Sequence, residues 1–83
     1  MNLPLPPVLV VDDEKDIVDL ISYNLQRNGY DVLTAHSGDQ ALSLAQKHLP
    51  DLLILDLMLP GMDGTEVARR LNADPRTASL PAL

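Results

Sequence analysis

The chain has 83 residues, with 12 acidic and 6 basic side chains for a net charge of −6, and it contains no cysteine. That length holds one small domain at most. The acidic balance argues against a nucleic-acid or anionic-membrane footprint, which needs clustered Lys and Arg, and the missing cysteines exclude a disulfide framework and a thiolate metal site. Tyr23 and Tyr30 are the only aromatics, so the core must be built from Leu, Ile, Val and Ala. No basic segment precedes the first apolar run, and that run is too short for a signal peptide or a membrane span. A soluble, cytoplasmic protein is the expectation.

Residues 1–7 contain Pro4, Pro6 and Pro7 and read as an extended tail, because proline cannot enter a sheet interior. Val8-Leu9-Val10-Val11 follows as an apolar run without alternation, the pattern of a strand covered on both faces. Glu14 to Asn28 reads as a helix, with Ile17, Leu20, Ile21 and Leu25 on one face. Asp13, Glu14 and Asp16 crowd its first turn, where the macrodipole favours anions. Gly29 suits a left-handed cap, with Tyr30 packing back on the last turn. Asp31 to His36 is a second, less apolar strand, expected at or near an edge. Ser37-Gly38-Asp39-Gln40 fits a capping box, opening a helix that carries Ala41, Leu42, Ala45 and Leu49 and stops at Pro50. Asp51 to Leu55 is the third strand and reads as central. Pro60-Gly61 is a turn. Asp63-Gly64-Thr65-Glu66 fits another capping box, opening a helix with Val67, Ala68 and Leu71 on one face, broken at Asp74-Pro75. Leu80 to Leu83 looks like the opening of a fourth strand. The alternation β-α-β-α-β-α specifies a parallel sheet with right-handed crossovers.

Both strongly apolar runs stop on carboxylates. Val8 to Val11 ends in Asp12-Asp13-Glu14, and Leu52 to Leu55 ends in Asp56. In open α/β sheets, ligands bind at the C-terminal edge of the strands. The first and third strands of a doubly wound sheet are often neighbours, roughly 4.8 Å apart. Like charges about 5 Å apart cost roughly 3 kcal/mol at an effective dielectric near 20. Such a cluster takes up a proton or binds a hard cation, and oxygen-only ligands favour Mg²⁺. A carboxylate beside Mg²⁺ can act as a nucleophile toward a phosphoryl group. This assigns Asp56 as nucleophile and Asp12 and Asp13 as metal holders. The competing reading makes Asp13-Glu14 a helix N-cap and nothing more. Capping fits Asp56 less well, because no helix begins there. His36 and His48 read as surface or strand-end residues, Met58 and Met62 as packing or loop residues, Arg69 and Arg70 as a solvated helix face, and Gly61 and Gly64 as turn residues.

Val8 to Glu14, then Asp51 to Gly64 with its Pro60-Gly61-Met62-Asp63-Gly64 turn, closely resemble the receiver domain of bacterial two-component response regulators. The resemblance runs from about Val8 to Leu83. It implies a flavodoxin-like doubly wound parallel sheet of strand order 2-1-3-4-5, an order that comes with the family and not from the spacing of these residues. It implies that Asp56 is the phosphoacceptor, taking a phosphoryl group from a sensor histidine kinase. It implies that Asp13 binds Mg²⁺ directly, Asp12 directly or through water, and Met58 through its backbone carbonyl, with Pro60 and Gly64 shaping the loop. An output domain or another receiver chain is a further implied partner. The implied role is that of a signalling module, not an enzyme.

The sequence departs from the family pattern as well. Five βα units are expected, and residues 8–83 supply three and a stub of strand four. The family's Ser or Thr at the end of strand four and its Lys after strand five have no counterpart, since Lys15 and Lys47 lie in the first two helices. This keeps open a phosphorylation-incompetent receiver that serves only as an interaction module or remnant. An aspartate-nucleophile phosphatase of the haloacid-dehalogenase type is a third reading, although it needs a second Asp where Met58 stands. An uncovered strand edge and unpartnered apolar surface are aggregation hazards. The 83-residue polypeptide is therefore expected to be poorly stable or to pair with another chain. A cooperative, monomeric thermal transition above about 45 °C, the low end for mesophile domains, would contradict that.

Overall fold

The computed structural model describes residues 7–56 and 58–81. The proline-rich segment expected to form a tail lies, up to residue 6, outside the described residues. Three strands, β1 (Val8–Val11), β2 (Val32–Ala35) and β3 (Leu52–Leu55), alternate with three helices, α1 (Lys15–Arg27), α2 (Gly38–His48) and α3 (Gly64–Ala73). The sheet is parallel, in the order β2-β1-β3. This is the order that the resemblance implies for the first three strands.

Because β1 is central, both its faces are covered, which is why its sequence does not alternate. Leu9 and Val11 face one side with Ala35 and Leu53, beneath Ala41, Leu42 and Ala45 of α2 and Val67 and Leu71 of α3. Val8 and Val10 face the other side, packed with Val18, Ile21 and Leu25 of α1 and with Val32, Leu52 and Ile54. Two helices thus cover one face and one covers the other. On the single-helix side, Ile17, Leu20 and Tyr23 of α1 remain exposed.

β1 has the expected bounds, whereas β2 and β3 are shorter than expected by two residues and one, since Asp31, His36 and Asp51 fall outside the ladders. Leu52 to Leu55 reads as central by sequence, yet among the described residues β3 lies at the sheet edge. β3 has a ladder only with β1, and Leu52, Ile54 and Leu55 are half-buried. Its outer side meets one group, since the Leu53 amide donates to the Pro81 carbonyl at 3.0 Å. Leu80 and Pro81 form no strand, because one bond beside β3 does not make a ladder. Ala82 and Leu83, the rest of that expected stub, lie outside the described residues.

Local signals end the helices largely as read. Gly29 takes φ 90°, and the amides of Gly29 and Tyr30 donate to the carbonyls of Gln26 and Leu25. That is the paired bonding of a Schellman cap, although the Tyr30 ring stays largely exposed. α2 stops at His48 because Pro50 restricts the residue before it, and Leu49 turns left-handed at φ 47°. Beyond α3, the buried Thr77 hydroxyl donates to the Leu71 carbonyl at 2.7 Å, a second donor on a terminal carbonyl that also accepts from the Asp74 amide.

Both capping boxes are half formed. Ser37 Oγ accepts from the Gln40 amide, and Asp63 Oδ1 accepts from the Glu66 amide. The return bonds go elsewhere. Gln40 Oε1 accepts from the His36 amide, one residue earlier than a capping box requires. Glu66 turns along its helix to Arg69 and Arg70, so those arginines are exposed but paired. The hydrogen bond from Arg69 holds the Glu66 carboxyl down at about 2, with Arg70 adding to the effect. A depressed carboxylate contributes stability above its ordinary value of about 4.5 and loses it as pH falls toward about 2. Glu66→Gln should therefore lower the melting temperature slightly at neutral pH and much less near pH 2. Added salt should shrink the difference, because the pair is exposed. Melting followed by circular dichroism at both pH values checks this.

Candidate functional site

Strand register brings the acids together. β1 and β3 pair in step, with Val11 opposite Leu55. The ladder extends one bond further, the Asp56 amide donating to the Val11 carbonyl at 2.9 Å. On the other side, the Asp12 amide donates to the Ala35 carbonyl at 3.2 Å. Asp12 and Asp56 are therefore the first residues past two adjacent paired strands, side by side at the C-terminal edge. Asp13 follows at the turn into α1. One ligand oxygen from each of Asp12, Asp13 and Asp56 lies within 4.8 Å of the other two.

Local bonds orient two of the three side chains. Asp12 Oδ1 accepts from the Glu14 amide at 2.9 Å, and Asp56 Oδ1 accepts from the Met58 amide at 2.9 Å. Each is a carboxylate bound to its own backbone two residues on. One oxygen is engaged in each case, and the other is left for a ligand. Asp12 and Asp56 are half-buried and Asp13 is exposed at the mouth. Among the described residues, the Lys and Arg ion pairs are Lys15–Asp19, Arg69–Glu66, Arg70–Glu66 and Arg76–Asp74. None reaches the three acids. Three carboxylates without a protein cation between them form a hard, oxygen-only donor set, and that chemistry fits Mg²⁺.

The N-cap alternative is half met. Glu14 is the N-cap of α1, and its side chain makes no capping bond. Met58 stands in the loop after Asp56, with its side chain 84% exposed and its amide fixed on the Asp56 carboxylate. Leu57 lies outside the described residues. His36 ends β2 on the surface, as read, yet its Nδ1 lies 3.2 Å from the Asp12 carbonyl. A carbonyl only accepts, so Nδ1 carries the hydrogen and the ring braces the turn behind the acids. His48 is exposed on α2, and Met62 packs against the core. Gly61 takes φ 74° in the turn, whereas Gly64 is the buried first residue of α3. A cavity of about 230 Å³, lined by Leu49, Asp51, Arg76, Thr77 and Leu80, lies toward the opposite edge of the sheet, remote from this chemistry.

Sequence reasoning missed Gly38. It is buried at the start of α2, and a Cβ there would meet the Met62 carbonyl at 2.7 Å. No local signal marks it, because the constraint comes from a loop more than twenty residues downstream.

Known proteins share both the sequence and the geometry. The family model described as "Response regulator receiver domain" matches residues 8–82. The alkaline phosphatase synthesis transcriptional regulatory protein PhoP of Bacillus subtilis is 56% identical over 64 residues, covering 77% of this chain and 27% of that protein. The N-terminal domain of a response regulator receiver protein from Methanoculleus marisnigri JR1 superposes with a TM-score of 0.90 at 42% identity, covering 94% of this chain and 63% of that one. The response regulator TrrA of Thermotoga maritima, in complex with Mg(2+)-BeF, superposes with a TM-score of 0.82 at 39% identity, over 87% of this chain and 63% of that one. The chain spans 27–35% of the length of such full-length transcriptional regulators. With the family model matching residues 8–82 and receiver structures superposing over most of its length, the chain belongs to the response regulator receiver domain family of two-component systems.

Proposed function

We propose that residues 8–83 act as a phosphoacceptor module, with Asp56 receiving a phosphoryl group from a sensor histidine kinase in the cytoplasm. The observation that carries this reading is the convergence of Asp12, Asp13 and Asp56 within 4.8 Å. In the transfer, an Asp56 carboxylate oxygen bonds to phosphorus as the bond from phosphorus to the kinase imidazole breaks. The imidazole nitrogen keeps the electron pair and ends protonated. Asp56 is suited to attack because its Oδ1 is held by the Met58 amide, which leaves the second oxygen oriented and free. Asp12, Asp13, Asp56 and the Met58 carbonyl would hold Mg²⁺, which when bound neutralises phosphoryl charge. The relatives are named as transcriptional regulators, so an output domain that acts in transcription is the proposed downstream partner.

A second reading is an interaction module that takes no phosphate. A phosphatase reading is weaker, because Met58 cannot exchange a proton as the acid/base that such enzymes place two residues after the nucleophile. Incubation with Mg²⁺ and acetyl phosphate, followed by intact-mass measurement, separates the three. Gain of one phosphoryl group supports the acceptor. No gain under any condition supports the interaction module, and sustained turnover of phosphate monoesters supports the phosphatase.

A further inference from the structure

We infer that Gly38 is a positioning residue for the loop that carries the acceptor site. The inference rests on the reading of Asp12, Asp13 and Asp56 as a Mg²⁺ site, and it assigns a role to a residue outside that cluster. Gly38 is the first residue of α2 and is buried. Its φ is not among the positive ones, so the backbone conformation does not demand glycine. Space does. A Cβ would stand 2.7 Å from the Met62 carbonyl oxygen, 2.9 Å from Val67 Cγ2 and 3.0 Å from Met62 Cβ, where ordinary contact begins at 3.4 Å.

The nearest of these atoms is main chain and cannot rotate away. Met62 closes the segment that starts at Asp56 and ends at Asp63, the N-cap of α3. That segment is held at both ends. The Asp56 amide is bonded to β1 and the Asp63 side chain to the Glu66 amide. Between them, Leu59 is buried in the core and Met62 packs against it. The missing Cβ lets this loop settle against the N-terminus of α2. Restoring it would drive the Met62 carbonyl from 2.7 Å toward 3.4 Å, and a loop fixed at its far end passes the shift back toward Met58 and Asp56.

The test is Mg²⁺ affinity, measured by calorimetric titration with magnesium chloride. Gly38→Ala should weaken it by about tenfold, the scale of a displaced supporting group. Val67→Ala, which loosens α3 packing without touching the Met62 carbonyl, should leave the affinity unchanged even if melting falls. The double variant Gly38→Ala/Val67→Ala removes the Val67 contact but keeps both contacts to Met62, and it should stay weak. Full recovery in the double variant would assign the effect to helix packing and overturn the inference, as would equal affinity in Gly38→Ala and wild type. Should Gly38→Ala not fold, wild-type amide resonances decide. On titration with magnesium chloride the Gly38 amide should shift together with that of Met58, and an unmoved Gly38 sinks the inference. A wild-type chain that binds no Mg²⁺ at all defeats the metal reading, and this inference with it.

Discussion

Asp56→Asn should abolish phosphoryl uptake from acetyl phosphate, not merely slow it. The substitution keeps side-chain shape and can retain the Oδ1 contact to the Met58 amide, so folding should change little. What it removes is the anionic oxygen that forms the bond to phosphorus. An amide is a far weaker nucleophile, and the loss should exceed the 10²–10⁴-fold, or roughly so, associated with removing a general acid or base. Asp13→Asn offers an informative contrast. Asp13 is exposed at the mouth of the cluster, so losing its charge should weaken Mg²⁺ binding while leaving a residual mass gain at high Mg²⁺. Intact-mass measurement across a Mg²⁺ series distinguishes the two variants. Persistent labelling of Asp56→Asn at a different carboxylate would reassign the acceptor.

The largest stability effect should come from Leu9→Ala. Leu9 is fully buried in the central strand, beneath both α2 and α3. Truncating such a side chain removes its transfer free energy and leaves a cavity, together about 2–5 kcal/mol. Stability of roughly 0.05–0.15 kcal/mol per residue gives a chain of this size about 4–12 kcal/mol, so toward the lower end one substitution consumes most of it. The expected result is loss of any cooperative transition in urea or heat. Leu20→Ala is the control. Leu20 is 59% exposed on α1, and its truncation should change stability by about 0.5 kcal/mol or less. A cooperative Leu9→Ala transition near that of wild type would mean that the two-faced core is not what holds β1.

The contrast between Leu9 and Leu20 also shows how the sequence could be read. Both are leucines within apolar patterns, and the pattern put them on a strand and a helix; it also put Leu20 and Ile17 on one face with Ile21 and Leu25, whereas the packed face of α1 is Val18, Ile21 and Leu25 and Leu20 is exposed. The unbroken run Val8 to Val11 announced a strand covered twice, because a fully buried strand has no solvent face to alternate toward. Helix ends were legible for the same local reason. Gly29, Ser37, Asp63 and Pro50 act through their own backbone or that of residues a few positions away. The receiver resemblance was legible because the acids follow apolar runs and the Pro60-Gly61 turn sits at a fixed distance beyond Asp56.

Other features depend on partners distant in the chain. Gln40 and Glu66 both satisfied the capping-box pattern, but competing groups captured them, the His36 amide in one case and two arginines in the other. Residues 52–55 read as central because they are as apolar as β1, whereas their place at the edge of the described sheet depends on what pairs beside them. Composition and local pattern by themselves determined the elements, their caps and the two sets of acids. Only the tertiary structure decided that Val11 stands opposite Leu55, which places Asp12 beside Asp56, and that α2 approaches the acceptor loop closely enough to exclude a Cβ at Gly38. The reason is physical. Propensity and capping act over a few residues, whereas register and close approach arise when segments tens of residues apart are pressed together by a shared core.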